Sequence, residues 1–375
     1  MANVFEQMEK LGSDRIIADF KSKQKQDYAF KRNYADVRAW EFYNHPEVAG
    51  DAYVAVGGLD SIVLYLFLRS IGIDVPAVSV SSLENVSVQR VHRALGVKSL
   101  PPAQKPDGKR WTKHEIIAEF GYPILSKEIA GKIHLLQNPT DDNRTVRHAI
   151  ITGETGEYGG WQKNSRMKMS DKWLRKFGGA DPEGAALGYQ AAPFKVSDKC
   201  CYYLKEKPCN DYAKESGRFP YMGLMASEGG RRQKALMLHG CNYISKGTKR
   251  SCPFAIFSRD DLLHLAIEMD EWYKAHKDLF PGDPVETIVP AIYGEIVQQP
   301  NGTLETTGAK RTGCDICMFG IHLEARPHRF DRLRVENPKA WRFWMYDAGF
   351  GRVLDYIGVG WENNVDICEQ LRIDI

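Results

Sequence analysis

Apolar and polar positions alternate along this chain with two different periods, and each change of period marks an element. Residues 10–45 carry Ala29, Phe30, Tyr34, Val37, Trp40 and Phe42 among charged neighbours. Their spacings of three and four predict amphipathic helix, which Asn44-His45-Pro46 stops. A short apolar run at Tyr53–Val56 then enters a glycine turn and a helical pattern over Ser61–Ile71. The sequence repeats the arrangement with a strand at Pro76–Val80 and a helix at Val86–Leu95, closed by Gly96-Val97 as a glycine cap. A further strand is expected at His148–Thr152, running into Gly153. In Asp260–His276, Leu262, Leu263, Leu265, Ala266, Met269 and Trp272 line one helical face. Strands alternating with helices predict an α/β fold, a doubly wound and mostly parallel sheet.

Three parts follow from these patterns: an N-terminal helical segment at 1–47, an α/β domain at 48–276 and a smaller, turn-rich and aromatic C-terminal subdomain at 277–375. The Gly-, Lys- and Trp-rich stretch Gly156–Gly188 reads as a partly helical active-site insertion. At 375 residues, 43% hydrophobic and 26% charged, the composition is that of a folded chain and excludes disorder. A formal charge of +3 does not by itself imply a nucleic-acid binder. Lys249-Arg250 reads as solvated surface. The N-terminus has no charged-then-apolar leader pattern, and the longest apolar run, Ile62–Leu68, falls far short of the about 18 residues that span a bilayer. A cytoplasmic protein with no membrane partner is expected. In that compartment eight cysteines point to metal or redox chemistry rather than structural disulfides.

Gly57-Gly58-Leu59-Asp60-Ser61 is placed to hold an anion. Glycines between strand and helix permit backbone angles that side chains resist, and they let consecutive N–H groups face phosphate at the positive helix end. Asp60 and Ser61 are candidates to cap that helix, and Ser61 to donate to a phosphate oxygen. The turn matches neither G-x-x-x-x-G-K-[ST] nor G-x-G-x-x-G.

Cys200-Cys201 and Cys314-x-x-Cys317 form two cysteine pairs. A Cys-x-x-Cys can bind zinc, hold an iron–sulfur cluster or exchange disulfides. Adjacent cysteines diverge and suit a single tetrahedral metal poorly, whereas in a [4Fe–4S] cluster each binds a different iron. The four together therefore point to such a cluster. Zinc held by Cys241, Cys252, Cys314 and Cys317 is the competing assignment, and Cys209 and Cys368 read as buried thiols.

Gly57-Gly58-Leu59-Asp60-Ser61 resembles the PP-loop of the ATP pyrophosphatase and phosphoadenosine phosphosulfate (PAPS) reductase superfamily, with Val56 where a serine is usual. Ser197–Lys205 is similar to the Cys-Cys-x-x-x-Lys segment of the family's iron–sulfur branch, and Arg311-Thr312-Gly313-Cys314-Asp315-Ile316-Cys317 to its second cysteine pair. Gly223–Arg232 resembles the G-x-R-x-x-E-S-x-x-R segment. There Gly223, Glu228 and Arg232 match, while Met225 and Gly229 depart. Pro253–Leu262 is similar to an architectural strand-to-helix passage, with Phe257 in place of Trp. Pro76–Arg93, Pro123–Glu128 and Gly320–Phe330 look like a phage- or mobile-element-borne group of the same family. In the last segment His322, Glu324 and His328 read as ordering the fold through hydrogen bonds, with a second metal site as the alternative.

The resemblance implies an adenine nucleotide alpha hydrolase-like fold, with an adenine nucleotide (ATP, or PAPS or adenosine phosphosulfate, APS) beside a [4Fe–4S] cluster in one active site. Gly57, Gly58, Leu59, Asp60, Ser61, Glu228, Arg231 and Arg232 would bind nucleotide or phosphate, and Cys200, Cys201, Cys314 and Cys317 the cluster. Asp60 would orient nucleotide and Mg2+, while Lys199, Lys205 and Arg311 would stabilise developing charge. The activity implied is ATP-dependent sulfur transfer from an unidentified donor to a nucleic acid or small metabolite, with a homodimer among the assemblies open to it. A sulfonucleotide reductase releasing sulfite is the alternative, but its mobile thiolate would have to be Cys368, in a tail unlike the family's. A third reading is a non-catalytic nucleotide sensor working with a ParB-like protein.

Overall fold

The computed structural model of the chain describes residues 4–155, 165–308, 314 and 316–362. Two helices come first, α1 (Val4–Gln24) and α2 (Tyr28–Tyr43). The single helical stretch expected over 10–45 divides because the Asp27 carboxylate accepts from the Phe30 N–H at 2.8 Å and starts a new helix. Asn44 caps the end of α2, as its sequence suggested.

The next segment is strand, turn and helix: β1 (Ala52–Ala55) and α3 (Leu59–Ser70), then β2 (Ala77–Ser79), α4 (Val86–Ala94) and β3 (Lys98–Ser99). The sheet is completed by β4 (Phe219–Tyr221), β5 (Asn242–Ile244) and β6 (Lys249–Ser251) in the order β3-β2-β1-β4-β6-β5. Pairing is parallel except between β5 and β6. This is the mostly parallel α/β sheet expected. Ala52, Tyr53 and Val54 are all buried, as strands covered on both faces must be. The apolar run Ile62–Leu68 is buried all round within α3, which packs against the helix Arg259–Ala275. That helix begins with a capping box between Ser258 and Asp261. Asp261 also takes a buried ion pair from Lys31 of α2 at 2.8 Å. A separate hairpin pairs β7 (Ile296–Gln298) with β8 (Leu304–Thr306).

Contacts divide the chain into two units, neither continuous in sequence: residues 1–101 with 208–314, and residues 102–207 with 315–375. These limits differ from the boundaries near 47 and 276, because composition marks local change whereas a unit is defined by which apolar faces pack together. The first unit holds every strand named above. In the second, helices such as Lys113–Phe120, Lys127–Gln137, Arg329–Glu336 and Phe350–Ile357 enclose Trp173, Phe177, Phe194, Phe330, Trp341 and Phe350. Residues 102–207 and 315 onward are stitched by Gly320 N–H donating to Leu125 O at 2.7 Å.

The strand expected at His148–Thr152 is instead the end of a helix, Arg144–Thr152. Ala149, Ile150 and Ile151 are buried, and Gly153 ends the helix with a left-handed φ of 83°. A short apolar run satisfies either a strand or a buried helical turn, and its length alone cannot separate them. Of the stretch 156–188, residues 156–164 lie outside the described part, and Asp171–Phe177 and Pro182–Ala186 are helical. No helix among the described residues is long and apolar enough to cross a membrane.

Candidate functional site

β1 lies where the chain reverses direction across the sheet: β2 and β3 are laid down on one side of it, β4 on the other. In open parallel sheets, ligands occupy the crevice at the carboxyl ends of strands flanking such a switch point. Gly57-Gly58 follows β1 directly at that position and opens α3.

The turn is held from several directions. Ser61 Oγ accepts from Gly57 N–H at 2.8 Å and donates to Gly58 O at 3.1 Å. The expected cap by Asp60 or Ser61 is therefore absent: Gly58 is the N-cap, without a side-chain bond. The first helical N–H, that of Leu59, donates instead to the hydroxyl of buried Tyr293 at 2.7 Å. Gly58 has φ −98° and ψ −155°, outside the left-handed region, so φ is not what favours glycine there. At Gly57 an added Cβ would meet only Ser61 Oγ, at an ordinary 3.9 Å. Val56, where the resembled loop has serine, is 5% exposed and belongs to the core.

β4 leads into the second nominated segment of this unit. Gly223 passes so close to α3 that a Cβ there would lie 2.7 Å from Asp60 C and O and 2.9 Å from Ser61 N. The order of strands thus brings the Gly223 segment onto the Gly57 turn. Asp60 pairs with Arg259 at 3.5 Å. Glu228 and Arg232 bond each other at 2.9 Å, with Arg232 more than half exposed. The Arg231 side chain and Arg311 lie outside the described residues. Tyr293 and Arg259 went unrecognised in the sequence: the tyrosine stands far from any motif, and Arg259 sits in a passage read as architectural.

Cys200, Cys201 and Cys317 belong to the second unit, and Cys314 closes the first. None of the seven described cysteines forms a disulfide; Cys368 lies outside the described residues. The helical turn Lys199–Cys201 runs straight into a π-helical turn, Tyr202–Glu206, an insertion that often marks functional segments. It leaves Cys200 buried and Cys201 half-buried. Burial pushes the Cys201 thiol up and Cys317 adds to this, while Lys127 and Lys205 oppose the shift. Lys199, the other nominated lysine, sets its ammonium over the Tyr202 ring at 5.6 Å. The turn carrying Cys317 is clamped by buried Lys113, which donates to Ile316 O, and by Arg329, which donates to Cys317 O at 3.1 Å.

A four-cysteine cluster fits these residues in part. The donors are thiols outside any disulfide, and Lys127 and Lys205 favour the thiolate form of Cys201. No three His, Cys, Asp or Glu side chains among the described residues gather as a metal site. Cys241 and Cys252, members of the competing zinc set, are core residues whose thiols burial lifts to about 11 and about 12. A metal there would have to overcome that burial, because it binds thiolate. Glu324 is engaged by Arg329, and His328 Nε2 by Gly360 O at 2.8 Å, so both serve the fold.

The second unit also contains a cavity of about 560 Å3 between the helix Lys113–Phe120 and residues 345–362, lined by His114, Tyr122, Asp347, Arg352 and Trp361 among others. It includes none of the residues nominated from sequence. No protein-family model matches the chain, and no curated protein matches it.

Proposed function

We propose that this chain is an enzyme that binds an adenine nucleotide at Gly57–Ser61 and uses it for sulfur transfer, in the manner of the PAPS reductase family's ATP-using members. The observation that carries the reading is the position of the Gly57-Gly58 turn at the switch point of a parallel sheet, with the Gly223 segment against it. A helix N-terminus favours one anionic group by on the order of 1 kcal/mol. Micromolar binding needs about 8 kcal/mol, so further donors must share the phosphates. Arg259 and Arg232 are the described cations on the flanking segments. In this reading ATP activates an acceptor oxygen: the oxygen attacks the α-phosphorus and pyrophosphate leaves, its charge met in part by the Gly58 N–H; a sulfide-level sulfur from the donor then attacks the acceptor carbon, its C–O bond breaks, and AMP departs with that oxygen. Asp60, paired with Arg259, would orient the nucleotide and hold Mg2+ if both bind there.

Cys200, Cys201, Cys314 and Cys317 would hold a [4Fe–4S] cluster, which would supply sulfur-carrying chemistry when bound. Lys127 and Lys205 balance charge at Cys201, and Lys113 and Arg329 hold the Cys317 turn. The test is anaerobic purification with iron and sulfide analysis, alongside ATP–pyrophosphate exchange. Wild-type protein should contain iron and sulfide, which Cys200→Ala and Cys314→Ala lose. A colourless protein with one zinc and no sulfide overturns the cluster, and absence of ATP binding overturns the nucleotide site.

A further inference from the structure

Beside the Gly57 turn lies a histidine that no motif singled out. His92, on α4, is 1% exposed. Its Nε2 stands 2.9 Å from Gly57 O, and its Nδ1 stands 2.9 Å from Ser81 Oγ, just after β2. A carbonyl oxygen only accepts, so Nε2 carries the hydrogen and donates. The imidazole therefore ties the turn after β1 to the segment after β2, both at the carboxyl edge of the sheet.

The bond has a directional consequence. In a planar trans peptide the C=O of one residue and the N–H of the next point opposite ways. Drawing Gly57 O toward α4 turns the Gly58 N–H away from α4. The neighbouring donors are already engaged: Gly57 N–H with Ser61 Oγ and Leu59 N–H with Tyr293. The Gly58 N–H has no acceptor among the described residues.

We propose that His92 is a positioning residue of the loop: it fixes the Gly57–Gly58 peptide so that the Gly58 N–H is presented to a phosphate group. This rests on reading the loop as a phosphate site. It assigns His92 to the phosphate-bearing part of the ligand and not to the nucleoside.

The test is calorimetric titration of the full chain with pyrophosphate, ATP and adenosine. His92→Phe keeps a buried ring but removes the donor, and His92→Gln restores an N–H at similar reach. His92→Phe should weaken pyrophosphate and ATP about 10-fold or more, as expected for losing a hydrogen bond to a charged group. Adenosine should change less than about twofold, and His92→Gln should recover most of the loss. The proposal is overturned by His92→Phe binding pyrophosphate like wild type, by equal losses for adenosine and pyrophosphate, or by a folded His92→Gln that recovers nothing. Wild-type protein that binds neither pyrophosphate nor ATP removes the phosphate-site reading itself, and the role of His92 with it.

Discussion

Gly223→Ala is the smallest change that should disturb the candidate site without touching a ligand. The added methyl would lie 2.7 Å from Asp60 C and O and 2.9 Å from Ser61 N. Ordinary contacts begin near 3.4 Å, so one backbone must give by several tenths of an ångström. Neither can yield as a flexible side chain would. Asp60 and Ser61 sit in the first turn of α3, anchored by Ile62 N–H on Gly58 O at 3.0 Å and by Leu59 N–H on Tyr293. On the other side, Met222 N–H is bonded to Ser251 O at 2.8 Å. Overpacking of this kind costs about 1–3 kcal/mol. If about 2 kcal/mol of it appears as displacement of the loop, pyrophosphate affinity falls about 30-fold. Urea denaturation reads the stability, and calorimetric titration with pyrophosphate and ATP reads the site. Gly247→Ala is the control, because a Cβ there meets nothing within 4 Å. Gly223→Ala with the urea midpoint and pyrophosphate affinity of the control would refute the close approach and its bearing on the loop.

Two further outcomes are expected. Burial raises the Cys252 thiol from its ordinary value of 9.0 to about 12, so the folded state holds that proton more tightly than the unfolded chain. The associated stability is fully present below pH 9.0 and is lost as pH rises toward 12, so the urea midpoint should fall between pH 8 and pH 10.5, and less steeply in Cys252→Val. An identical decline in the variant would refute this. Lys31→Met leaves buried Asp261 with Ser258 but without its cation, which should cost about 3 kcal/mol in chemical denaturation; a change below about 0.5 kcal/mol would mean the pair contributes no net stability.

Much of the architecture near the loop was legible because it is local. The apolar runs flanking Gly57-Gly58 mark strand and helix, and both form within two residues of the expected limits. The apolar face over Asp260–His276 likewise marked a helix, which forms at Arg259–Ala275. His148–Thr152 failed for the same locality. Three apolar residues in a row carry no period, and only the company they keep in the core made them helix.

By itself, then, the sequence determined where chain direction changes, which residues have the chemistry for phosphate or metal, and that strands alternate with helices in an α/β chain. The tertiary structure alone decided which of these distant pieces meet. Sheet order set Gly223 against Asp60, a buried histidine 35 residues from Gly57 took hold of its carbonyl, and Tyr293 capped α3 from 234 residues away. Packing likewise joined residues 102–207 to 316–362, so that Lys113 reaches Ile316 O beside Cys317. The physical reason is that periodicity and turn chemistry report energies between residues a few positions apart. Strand pairing and core packing select among long-range contacts that no local pattern encodes.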